Sequence, residues 1–100
     1  ETLFMNICYA GEISTMVPRQ TFFDGRLTVI RPLSMVEAKS IRRFAKDRQF
    51  PRYANPCPSA GSTKRSEIGA MLERLYRTNR KIKGNIYRSM SHVKMEYLLK

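Results

Sequence analysis

Three side chains in this sequence, Cys8, Cys57 and His92, are of a kind that can act as nucleophile or metal ligand, and their spacing decides what they can support. A zinc site draws its ligands in close pairs, roughly two to four residues apart. Here the two thiols stand far apart, and His92 is the single imidazole. Cys8 and His92 could meet only through folding; the residue types fit a buried structural cysteine and a surface histidine better. The 8 acidic residues are scattered, His92 has no obvious acidic partner along the chain, and no glycine-rich phosphate loop follows a strand. The expectation is therefore a non-enzymatic protein with no catalytic residue, metal, cofactor or small-molecule substrate. Its two thiols are expected reduced.

Charge is the strongest compositional fact. A formal net charge of +11 on 11.7 kDa attracts an anionic partner: nucleic acid, an acidic protein surface or a lipid headgroup. The charge is uneven. Residues Glu1 to Leu33 are neutral overall, Ser34 to Arg52 carry +4 and Tyr53 to Lys100 carry +7. Hydrophobic residues make up 42%, which argues against wholesale disorder. No apolar run approaches the roughly 20 residues that span a bilayer, and no signal-peptide pattern opens the chain. One hundred residues suit one domain, and a start at Glu1 reads as a processed product or fragment.

The elements that must position these residues form an α+β chain: N-terminal hairpins, a capped helix, a proline-rich linker and one or two basic amphipathic helices. Thr2 to Ala10 reads as β-structure, Gly11 punctuates it, and Ile13 to Val17 continues the strand reading until Pro18. Thr21-Phe22-Phe23 and Leu27 to Ile30 flank Asp24-Gly25-Arg26, a hairpin signal because Asp and Gly tolerate positive φ. Ser34-Met35-Val36-Glu37 matches a capping box and opens a helix expected over Met35 to Arg48, with Ala38, Ile41 and Ala45 on one face. Pro51, Pro56 and Pro58 mark a linker from Gln49 to Thr63. Beyond it, Ser66 is placed to cap a helix carrying Ile68, Met71, Leu72, Leu75 and Ile82, Gly84 to stop it, and Asn85 to Leu99 to form another. The implied organisation is residues 1–48, a linker over 49–63, and a basic helical segment over 64–100.

The segment Gln20-Thr21-Phe22-Phe23-Asp24-Gly25-Arg26-Leu27-Thr28-Val29-Ile30, with the helix Glu37 to Ala45 behind it, resembles the TIFY domain of plant transcriptional repressors. It departs from the pattern at Phe22, Asp24 and Arg26. Ala70-Met71-Leu72-Glu73-Arg74-Leu75-Tyr76, followed by Arg80-Lys81-Ile82-Lys83, is similar to the Jas and CCT motifs of that family; the segment that makes some members hormone-degradable is missing. Leu75-Tyr76-Arg77 also matches the tripeptide of the mitochondrial LYR adaptors, though late in the chain rather than early in a first helix.

The TIFY resemblance implies a nuclear co-regulator in jasmonate signalling that acts through protein partners. Thr21, Phe22, Phe23, Gly25, Val29, Ala38, Ile41, Phe44 and Ala45 would mediate self-association and recruitment of a corepressor adaptor, with Phe22, Val29, Ile41 and Phe44 in one apolar layer. Leu72, Arg74, Leu75, Tyr76, Arg80 and Lys81 would dock on a transcription factor. The residues themselves leave a second reading open, a nucleic-acid-binding module such as a small ribosomal or ribonucleoprotein component. In it Arg74, Arg77, Arg80, Lys81, Lys83 and Arg88 neutralise phosphates, and Tyr53, Tyr76 and Tyr87 offer stacking faces.

Overall fold

A computed structural model describes residues 1–58 and 63–99. The chain is α+β. In order come α1 (Thr2–Ala10), β1 (Arg19–Phe22), β2 (Leu27–Ile30), α2 (Ala38–Asp47), α3 (Lys64–Thr78), α4 (Lys81–Ser89) and a 3₁₀ turn at Met95–Tyr97. It divides into two compact units: Glu1–Thr15 together with Ser59–Lys100, and Met16–Pro58.

The first unit packs α1 and α4 against α3. Its core is Leu3 on α1 with Ile68 and Leu72 on α3, the last only 2% exposed. Here Thr2–Ala10 is helical, not a strand. Leu3, Met5 and Ala10 are good helix formers, and burying Leu3 against α3 overrides the β preference of Phe4, Ile7 and Tyr9. Gly11 ends the helix at φ 67°, where the Glu12 amide donates to the Asn6 carbonyl at 3.1 Å. Ile13 to Val17 forms no strand. The Asn6 side-chain amide instead donates to the Ser14 carbonyl at 3.0 Å.

The start of α1 lies against α3. The Glu1 carboxylate is 3.7 Å from the Arg65 guanidinium, which also donates to the Thr2 hydroxyl. A Cβ at Gly69 would stand 2.9 Å from the Glu1 carboxylate, so glycine permits this approach. Lys64 Nζ sits 4.5 Å from the Tyr9 ring centroid.

Thr63, not Ser66, caps α3; Ser66 completes the box from the third position. Its amide donates to Thr63 Oγ1 at 3.3 Å, and Ser66 Oγ accepts from the Thr63 amide at 2.9 Å. Nor does Gly84 stop a helix. The break falls at Asn79, which is extended at φ −159°, and its side-chain oxygen accepts from the Lys81 amide at 2.8 Å to start α4, with Gly84 inside it. No continuous helix runs to Leu99. Past Ser89 the side chains of Ser89, Ser91 and His92 bond to the carbonyls of Ile86 and Arg88 and compete with helix propagation.

In the second unit β1 and β2 pair antiparallel, Phe22 opposite Leu27 and Arg19 opposite Ile30. The loop between them includes Phe23, which turns with Asp24 and Gly25 at φ 52°, 54° and 88° instead of extending β1. The expected cap at Ser34 does not form. Ser34 and Val36 donate to Arg31 and Leu33 in successive turns, Glu37 is extended, and α2 begins only at Ala38. No regular structure occurs over Pro51 to Cys57; residues 59–62 of the expected linker lie outside the described residues.

Candidate nucleic-acid interface

Most cations of the C-terminal third are carried by α3 and α4, which meet near Asn79; Lys94 lies beyond them. Arg74 and Arg77 are three apart on α3 and therefore share a face; Arg80 follows at the joint. On α4, Lys81, Asn85 and Arg88 recur at four and three residues, a stripe on one side. Ile82, Ile86 and Met90 recur on the other and are half-buried. The polar stripe is exposed along its length.

Its far end is concave. Asn85, Arg88, Ser89 and His92 line a pocket of about 200 Å³. Arg88 Nη2 donates to Asn85 Oδ1 at 2.6 Å, which fixes the guanidinium plane beside the opening. His92 Nδ1 is 2.9 Å from the Arg88 carbonyl. A guanidinium held this way presents its remaining N–H groups to an oxyanion such as a phosphate.

Tyr76 lies at the inner edge of this surface. It is half-buried, and Lys83 Nζ stands 5.8 Å from its ring centroid. Burial, reinforced by Glu73 and Glu1, raises its phenol above the ordinary tyrosine value. Tyr76 therefore belongs to the α1–α3 packing more than to a stacking platform. Tyr53 is 89% exposed and Tyr87 51%. Cys8 and Cys57 are both exposed, contrary to a buried structural thiol. Among the described residues, no three His, Cys, Asp or Glu converge as metal ligands, and no helix is long and apolar enough to cross a membrane.

The residues expected to bind a transcription factor are split. Arg74, Arg80 and Lys81 are exposed and Leu75 largely so, but Leu72 is the most buried side chain of the core and faces no partner. The expected apolar layer also fails. Thr21 and Phe22 lie on β1, Phe23 and Gly25 in the turn and Val29 on β2, and among the described residues the hairpin does not pack on α2.

What Ile41, Phe44 and Ala45 build instead is a groove of about 510 Å³ whose other walls are Leu33, Val36, Ser40 and Phe50. Sequence reasoning missed Leu33, Val36 and Phe50, although local signals mark the last two. Val36 precedes the N-cap Glu37 and Ile41 is the fourth helical residue, the spacing of a hydrophobic staple. At the other end Gln49 turns left-handed at φ 56°, and the amides of Gln49 and Phe50 donate to the carbonyls of Lys46 and Ala45. This Schellman closure swings Phe50 back, edge-on to Phe44 at 6.0 Å between centroids.

Comparison with known proteins places the chain beside bacterial tRNA-modifying enzymes. It is 36% identical over 100 residues to tRNA-cytidine(32) 2-sulfurtransferase 1 of Francisella philomiragia, a match covering 99% of this chain and 39% of that protein. To tRNA-cytidine(32) 2-sulfurtransferase 2 of Francisella tularensis subsp. tularensis it is 35% identical, covering 99% of this chain and 40% of the relative. The chain thus spans about two-fifths of the length of these curated relatives. No protein-family model matches it, and no solved structure does.

These similarities overturn the TIFY reading, with its Jas-like helix, nuclear location, jasmonate signalling, corepressor and transcription-factor partners. The likeness to the sulfurtransferases runs nearly end to end, whereas the TIFY pattern covers about a quarter of the chain. A strand, an Asp-Gly turn, a strand and a helix recur in unrelated proteins because local backbone physics favours them. The expectation of a non-enzymatic protein falls as well, since the relatives are named as enzymes.

Proposed function

We propose that this chain is a segment of a tRNA-modifying sulfurtransferase and that α3 and α4 form part of its RNA-binding surface. The observation that carries the reading is the 36% identity, over 99% of the chain, to an enzyme named for acting on a tRNA cytidine. The charge supports it: the +7 of residues 53–100 is what a polyanion requires. In this reading Arg74, Arg77, Arg80, Lys81, Lys83 and Arg88 contact phosphates. Arg88 is oriented by Asn85. Sulfur transfer to cytidine is the activity proposed for the whole protein of which these residues are part.

Titration of the chain with tRNA at increasing salt tests the interface. If all the named cations meet phosphates, log affinity falls against log salt with a slope of roughly −4 to −5. Reversing Arg77, Lys81 and Arg88 to glutamate lowers both the affinity and the slope. Weak binding indifferent to salt and to these substitutions would overturn the reading. The activity is tested separately, by mass spectrometry of tRNA nucleosides from cells lacking the whole protein. Loss of thiolated cytidine is expected; an unchanged level rejects it.

A further inference from the structure

The groove on α2 is built and empty-faced. Phe44, Phe50 and Leu33 are 54%, 56% and 59% exposed, although a hydrophobic staple and a Schellman closure fix the backbone on either side of them. Apolar side chains held in a preformed concavity mark a seat for another apolar surface. The structure assigns to this groove an occupant from the same enzyme: we propose that an apolar ridge with acidic flanks, from the part of the longer sulfurtransferase polypeptide that the match leaves uncovered, docks between α2 and Phe50. The proposal rests on the reading of the chain as a segment of such an enzyme.

Three observations favour this occupant over a second copy of the chain. The matched relatives extend well beyond the region of similarity, which covers 39% of one and 40% of the other, so polypeptide in cis is available. The groove sits in the stretch Ser34 to Arg52, which carries +4, and two copies meeting across it would bring like charges together. A two-fold interface must also be self-complementary, and a concave seat cannot fill its own image. The same net charge of the stretch favours acidic flanks on the ridge.

Cysteine accessibility tests the proposal. The matched part of the Francisella philomiragia enzyme is replaced by this chain, and Phe44→Cys and Tyr53→Cys are introduced separately into that chimera and into the chain alone. Maleimide labelling is then read site by site by mass spectrometry. Tyr53→Cys serves as the reference because Tyr53 is 89% exposed. Relative to it, Phe44→Cys should label at least about tenfold more slowly in the chimera than in the chain alone. Equal relative rates would overturn the proposal. So would a dimer of the chain alone that Phe44→Asp dissociates. Binding of tRNA by the chain alone is expected not to depend on Phe44. Its loss would therefore reject the RNA-binding reading and leave the labelling result to be judged independently.

Discussion

The two units of this chain use comparable amounts of sequence to opposite effect. In Glu1–Thr15 with Ser59–Lys100, residues far apart in the chain close over Leu3, Ile68 and Leu72, a small core in which all three are buried. In Met16–Pro58, among the described residues, none is buried, although the unit has its own hairpin, helix and well-formed helix ends. Local hydrogen bonding therefore suffices to shape α2 and the turn, but it covers nothing. A segment can be locally well specified and still depend on outside surface for its stability.

Substitutions that separate the two units sharpen this contrast. The largest expected effect is at Leu72: Leu72→Ala should cost about 3 kcal/mol in urea unfolding of the chain, because it empties the best-packed site. Phe44→Ala, on the uncovered face, should cost under about 1 kcal/mol in the same measurement. If the two costs match, the contrast between the units fails. Reversing Arg77, Lys81 and Arg88 to glutamate should weaken tRNA binding on the order of 100-fold, whereas Phe44→Asp should leave it unchanged. An equal loss from Phe44→Asp would move RNA binding into the second unit.

Smaller effects follow at the helix ends and at Tyr76. Thr63→Ala removes half of the capping box and should cost about 1 kcal/mol, seen as lower helicity of α3. Gly25→Ala forces a Cβ onto a φ of 88° and should cost a similar, roughly 1 kcal/mol amount, confined to the hairpin's amide signals. Tyr76 has its phenol raised chiefly by burial, so folding favours the protonated form. Its contribution is fully present below the unfolded tyrosine value and is lost as pH rises through the higher folded one. Stability should fall through that alkaline window, and Tyr76→Phe should flatten the fall.

The parts of the fold legible in the sequence were those set by local chemistry. Asp24-Gly25 announced the hairpin, the periodicity of Ala38, Ile41 and Ala45 announced α2, and the apolar spacing of Ile68 and Leu72 announced α3. What was not legible depended on distant partners or on competing side chains. Thr2–Ala10 has β-favouring residues and becomes a helix because Leu3 finds α3, a contact no window along the chain can contain. Ser34 and Ser66 both looked like caps, but the chain chose Thr63, and placed Glu37 ahead of α2, by where the backbone leaves its turns. The cations of the candidate RNA surface were visible as charge. Their division into stripes at the Asn79 break was not, because Gly84 offered a more conventional stop. The groove's outer walls, Val36 and Phe50, flank α2 and so fall outside the helical periodicity that announces it.

The seating of α1 on α3 also sets an order of events. Leu3 and Ile68 can meet only after everything between them has been drawn into a loop, and closing a loop of that length opposes the contact by on the order of 4 kcal/mol of chain entropy. The hairpin and α2, made of near neighbours, shorten that loop if they form first. On that order the N-terminal helix is expected to be the last element captured, because its contact with α3 spans the longest sequence separation.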